Sequence, residues 1–142
     1  MKRTIKQSIA LILSLIFILC LTSCSSTQDS TSLWENATYK TDMQFGEGAR
    51  TVVVQVVVED KTVTFTVKTD KTIVGDALTE HGLIDGEEGP YGLYIKSVNG
   101  IAADYDVDQS YWAFNINGEY AMTGVDTTEI TEGATYQLVY TK

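Results

Sequence analysis

The run Thr51 to Val58, TVVVQVVV, constrains this chain more than any other segment. β-Branched side chains lose rotamer freedom in a helix and pack well on a pleated surface. The run is apolar on both parities, which predicts a central strand covered on both faces. Asp60-Lys61 turns the chain. Thr62 to Lys68 then alternates, with Val63, Phe65 and Val67 on one face and Thr62, Thr64 and Thr66 on the other, so the two segments form a hairpin. An apolar strand face needs a covering layer. Thr72 to His81, TIVGDALTEH, supplies one by placing Ile73, Val74, Ala77 and Leu78 at helical spacing. Thr72 is the expected N-cap and Gly82 the residue past the C-terminus. Gly75 weakens this helix by about 1 kcal/mol relative to Ala, so it depends on packing against the sheet.

Two glycines and the single Pro make Asp85 to Tyr91 an expected loop. Leu93 to Val98 reads as a strand ending in an Asn99-Gly100 turn. Tyr111 to Asn117 reads as another, with Trp112, Phe114 and Ile116 on one face. Asn117-Gly118 is the strongest hairpin signal in the chain, and Glu119 to Met122 is the returning strand. Thr127 to Gly133 connects to a final strand, Thr135 to Thr141. The expected fold is α+β and β-grasp-like: a mixed sheet with one helix packed on a face. A right-handed crossover lays the last strand beside the first. A sandwich without a true helix is the alternative.

At the N-terminus, Lys2, Arg3 and Lys6 precede thirteen uncharged residues, Ile9 to Leu21. That stretch is short for a hydrocarbon core of about 30 Å and suits a signal-peptide core. Leu21-Thr22-Ser23-Cys24 follows and resembles the lipobox of bacterial lipoproteins. The resemblance implies cleavage before Cys24 and lipidation of its sulfur, palmitate included, which places the protein on the extracytoplasmic face of the cell membrane. Residues 1–23 are then the signal peptide, 24–48 a flexible tether and 49–142 the domain. Within the tether, Leu33, Trp34, Tyr39, Met43 and Phe45 show no clear period, and disorder is favoured over docking. Loss of Lys2, Arg3 and Lys6 takes the formal charge from −9 to −12.

Charge and residue types exclude several chemistries. A chain with 19 acidic and 10 basic residues offers no clustered basic surface for nucleic acid. One His and two Cys exclude most zinc sites and a disulfide framework. His81, near a helix C-terminus, reads as structural. Asp104, Asp106 and Asp108 alternate like the start of a calcium loop. Gln109 and Asn115 stand where that loop needs Gly and Glu, so the triplet reads as a solvated loop. No nucleophile elbow, phosphate loop or spaced carboxylate pair occurs, and the chain is not expected to be an enzyme. Tyr91, Tyr94, Tyr105, Tyr111, Trp112, Phe114 and Tyr120 are crowded into one stretch. They serve either as sheet packing or as a platform for a flat apolar ligand with a polar edge.

Three motifs then stand in order: GLYIKSVNG from Gly92, YWAFNINGE from Tyr111, and the stretch from Thr123-Gly124-Val125-Asp126 through Glu132-Gly133-Ala134. With this spacing the chain resembles the transcobalamin-like C-terminal domain family, the smaller β-domain of cobalamin carriers, over Val52 to Tyr140. The resemblance implies a non-catalytic domain that binds cobalamin or a related corrinoid and aids its uptake. It implies ligand contacts from Tyr111 and Trp112, then from Tyr94, Tyr120 and Met122; from the residue types themselves no metal site is expected. Asn117, Gly118, Asn99 and Gly100 are structural turn residues. The implied partners are the membrane through the lipid at Cys24, a corrinoid, and an uptake transporter or second binding domain. The alternative is a cell-envelope module that binds a protein or polymer through its strand edge or aromatic face.

Overall fold

The structure is a computed structural model that describes residues 32–142. The signal peptide and Cys24 lie outside the described residues. Among the described residues nine strands form two sheets, accompanied by two short α-helices and one 3₁₀ turn. The first sheet is mixed and six-stranded, in the order β1-β3-β2-β9-β7-β8. Its strands are β1 (Met43–Phe45), β2 (Arg50–Val58), β3 (Lys61–Thr69), β7 (Tyr111–Ile116), β8 (Glu119–Tyr120) and β9 (Thr135–Thr141). The second is antiparallel: β4 (Ile84–Gly89), β5 (Gly92–Val98) and β6 (Ile101–Ala102). The protein is thus mostly β. The mixed sheet and a helix are present as expected, but a second sheet and a second helix accompany them.

β2 and β3 pair antiparallel with Val54 opposite Phe65. β2 and β9 pair parallel with Val54 opposite Tyr136, so the last strand does lie beside the first. The registers put Val52, Val54, Val56, Val58, Phe65 and Leu138 on one buried face. Helix α1 (Val74–Glu80) contributes Val74, Ala77 and Leu78 to that core, and the small sheet contributes Ile84, Ile95, Val98 and Ile101. The opposite face of β2 is half-buried. The expectation of cover on both faces is therefore corrected. Gln55 and Gln137 bond to each other there, an arrangement suited to a face that water reaches.

Local details differ from the sequence reading where tertiary partners intervene. Thr72 does not cap α1; Ile73 holds that position with no side-chain cap. The first helical N–H groups donate instead to backbone oxygens of a distant connection, Val74 N to Thr128 O (2.9 Å) and Gly75 N to Val125 O (2.8 Å). A Cβ on Gly75 would stand 3.0 Å from Val125 O, so the residue that weakens the helix also permits this approach. At the other end Gly82 N donates to Thr79 O and Leu83 N to Leu78 O, the paired bonds of a Schellman cap. The β2–β3 turn falls at Glu59-Asp60, one residue early, with Glu59 at φ 55°.

Asp85 to Tyr91 is not a loop but most of β4 and the turn into β5. The signals misled because the strand is an irregular edge: its register shifts at Asp85/Gly86, and Gly86 lets the backbones approach. A Cβ on Gly86 would meet the Tyr94 carbonyl oxygen. The solvated loop expected at the aspartates contains helix α2 (Tyr105–Asp108), capped by Asp104 Oδ1 accepting from Asp106 N at 3.0 Å. The returning strand β8 stops at Tyr120, two residues short.

The larger correction concerns residues 33–45, which are docked. A 3₁₀ turn, Leu33–Asn36, leads to Ala37, which is buried, and β1 pairs parallel with β3. Leu33, Trp34, Tyr39 and Phe45 pack on the core, and Tyr39, Phe45 and Phe65 meet ring to ring. Asn99 clamps the segment. Its Oδ1 accepts from Tyr39 N (2.9 Å), its Nδ2 donates to Tyr39 O (2.8 Å), and its carbonyl accepts from Thr38 N (2.8 Å). Among the described residues no helix is long and apolar enough to cross a membrane.

Candidate functional site

A groove of about 420 Å³ runs between β5 of the small sheet and the β7–β8 edge of the large one. β7 and β8 are joined by Asn117-Gly118, both at positive φ (51° and 86°), as the tight hairpin requires. Asn117 also fixes β9, since its Oδ1 accepts from Thr135 N at 2.9 Å. The hairpin therefore turns back over β7, where Ala121 N donates to Phe114 O (2.9 Å), and the chain continues along the groove through Met122 and Thr123. Asn99-Gly100 forms the corresponding turn from β5 to β6 at φ 50° and 80°.

The five residues singled out for ligand contact, Tyr94, Tyr111, Trp112, Tyr120 and Met122, all line this groove. Their exposures differ in a useful way. Trp112 is 7% exposed and forms floor, whereas Tyr94 (41%), Tyr120 (68%) and Met122 (95%) form an open rim. Trp112 meets Tyr140 edge to face at 5.5 Å, and Phe114 stacks with Tyr136 at 6.1 Å, so core packing holds the floor rigid. Trp112 Nε1 is buried without an acceptor among the described residues. Most buried donors have partners, so this one is unusual. Apolar aliphatic side chains of Leu93, Ile95 and Val125 complete the lining.

Tyr94 and Tyr111 also wall a second hollow of about 430 Å³, with Lys96, Asp104, Tyr105 and Asp106. Lys96 and Tyr105 are not among the ligand contacts expected from the sequence. Tyr105 belongs to the aromatic run, but only α2 and the β5–β7 packing bring it beside Tyr94. Asp108 is turned away to a different task. It accepts from Ser110 Oγ, from Ser110 N (3.1 Å) and from Lys142 Nζ (2.9 Å). The Ser110 hydroxyl, and then Lys142, hold its carboxyl down at about 2, from an ordinary 3.8. His81 lies outside the groove, stacked on Phe45 at 5.8 Å. Among the described residues no three His, Cys, Asp or Glu side chains are placed to hold a metal ion.

The family model of a domain of unknown function, DUF4430, matches residues 70–142. The chain belongs to the DUF4430 family. That match covers α1, the small sheet and all of the groove, and leaves β1 to β3 outside. A protein from Ruminococcus gnavus ATCC 29149, described as a candidate metal-binding protein, has a similar solved structure with TM-score 0.62 and 32% identity. The match covers 66% of this chain and 98% of that one. Haptocorrin solved in complex with Cbi shares the fold at TM-score 0.51 and 21% identity, over 69% of this chain. The matched part is only 26% of the haptocorrin chain. No curated protein matches. The fold-level likeness to haptocorrin agrees with the transcobalamin-like resemblance of the sequence. Both solved structures are described by what they bind.

Proposed function

We propose that this DUF4430 domain is a non-catalytic binding module whose groove takes one side of a flat ligand, apolar in its faces and polar at its edges, and that the ligand is cobalamin or a related corrinoid. The observation that carries the reading is the groove itself. It gathers Tyr94, Tyr111, Trp112, Tyr120 and Met122, and leaves the rim open to solvent. Large exposed apolar side chains around one concavity are the usual mark of a ligand site. Aromatic walls give contact area at small entropy cost, and the tyrosine hydroxyls and the unused Trp112 donor offer polar contacts. The likeness to haptocorrin in complex with Cbi supports the same class of ligand.

A groove of about 420 Å³ covers part of a macrocycle and not its whole surface. In this proposal the opposite side is closed by a second binding domain or by an uptake transporter. Cys24 carries the lipid that holds the domain on the extracytoplasmic face of the membrane. Two or more acyl chains give stable anchoring.

The test is calorimetric titration of the purified protein with cyanocobalamin. Micromolar binding is expected, with loss of at least about tenfold in Trp112→Ala while circular dichroism is unchanged. Absence of heat and of any spectral change in cyanocobalamin at millimolar concentration would overturn the corrinoid reading. For the anchor, metabolic labelling with palmitate should mark the wild type and not Cys24→Ser.

A further inference from the structure

The hollow beside the groove is walled by three phenol rings, Tyr94, Tyr105 and Tyr111, and by the carboxylates of Asp104 and Asp106. It already holds a cation of the protein's own. Lys96 Nζ stands 5.2 Å from the centroid of the Tyr94 ring and 3.8 Å from Asp104 Oδ2. The negative face of an aromatic ring attracts a cation, and a neighbouring carboxylate adds to that attraction. The walls therefore show, with an internal ligand, which sign of charge they accept.

The charges around the hollow do not balance. Asp104 is paired with Lys96 and Asp108 with Lys142, whereas Asp106 has no cation at ion-pair distance among the described residues. Lys96 is the only cation in the lining, so one negative charge is left over. The chain as a whole is negative too, at −9, and its field draws in cations and repels anions. A volume of about 430 Å³ leaves room beside the lysine head. A strongly hydrated metal ion would need converging oxygens, and these walls are mostly ring carbon. An alkylated ammonium sheds its water readily and presents apolar surface to the phenol faces.

We infer that this hollow, which shares the Tyr94 and Tyr111 walls with the corrinoid groove, is a second binding site, for a small molecule carrying an alkylated ammonium group. Tyr94, Tyr105 and Tyr111 supply the ring faces and Asp106 the unpaired charge. Lys96 occupies part of the site and limits its affinity, because its ammonium competes for Tyr94 and repels the incoming cation.

The probe is tetramethylammonium chloride, titrated into the protein while tyrosine ring resonances are followed, with sodium chloride at equal ionic strength as the control for screening. Saturable shifts at Tyr94, Tyr105 and Tyr111 are expected with tetramethylammonium alone. Binding should weaken about 5–10-fold in Asp106→Asn and in Tyr105→Leu, two exposed positions outside the core, and tighten about 5–10-fold in Lys96→Ala. Equal shifts in sodium chloride would overturn the site. So would binding that appears only in Lys96→Ala, since the native lysine would then keep the hollow closed. Tyr94 and Tyr111 border both cavities, so the two proposals are separated by the residues each cavity has alone: Tyr105 and Asp106 report on the hollow, Trp112 on the groove, and either proposal can fail without the other.

Discussion

Single side chains in this domain do their work by replacing backbone partners. Asn99 is the clearest case: it is 1% exposed, sits at φ 50°, and bonds both polar groups of Tyr39 as a neighbouring strand would. Asn99→Gly keeps the turn and removes the clamp, which should cost about 1–3 kcal/mol in denaturant melts. It should also speed amide exchange at Thr38 and Tyr39. Asn99→Ala adds left-handed strain of about 1–2 kcal/mol to that loss. Asp108 gives a pH signature. Its folded pKa of about 2 lies below the ordinary 3.8, so its contribution is complete above the ordinary value and is lost as pH falls through about 2. Lys142, raised by the same pair, contributes below its ordinary 10.5 and loses that contribution as pH rises beyond it. Acid titration of stability between about pH 4 and 2 should therefore be shallower in Asp108→Asn than in the wild type.

At the scale of elements, two segments are held by contacts that lie far away in sequence. β1 and the preceding 3₁₀ turn hold only because Phe45, Tyr39 and Trp34 find the core and Asn99 satisfies the backbone of Tyr39 between them. A chain that begins at Ala49, the boundary suggested by composition, should be less stable than one that begins at Ser32 by about 2–5 kcal/mol, read from denaturant midpoints. The β4–β5 hairpin depends on Gly86. Gly86→Ala puts a methyl group against the Tyr94 carbonyl and should cost about 1–3 kcal/mol. Because Tyr94 borders both the groove and the hollow, the same substitution should shift its ring resonances, and a variant with unchanged Tyr94 shifts would contradict the placement.

At the largest scale, the domain formed by residues 32–142 is asymmetric about its large sheet. One face carries α1 and the small sheet, and the other is half-buried. Phe65→Ala on the covered face should cost about 3–5 kcal/mol, against about 0.5 kcal/mol or less for Val53→Thr or Val57→Thr on the open one. Comparable losses on both faces would mean that a further layer covers the sheet in solution.

Period and turn chemistry determined most of the elements from the residues alone. Alternation at Val63, Phe65 and Val67 set the buried face of β3, and Asn117-Gly118 and Asn99-Gly100 set two hairpin turns, because only residues that tolerate positive φ close such turns. Spacing of Val74, Ala77 and Leu78 set the helix. Four of the five candidate ligand residues stand in the aromatic run, and the family resemblance chose among its members and added Met122. What the tertiary structure decided was every feature whose partner is remote in sequence. It set the docking of residues 33–45, the capping of α1 by Val125 and Thr128 carbonyls, the glycine-dependent edge strand β4, and the meeting of Lys96 and Tyr105 with Tyr94. Local sequence records what a segment does by itself. Where its hydrogen bonds and ring faces end depends on which distant segment the packed core brings beside it.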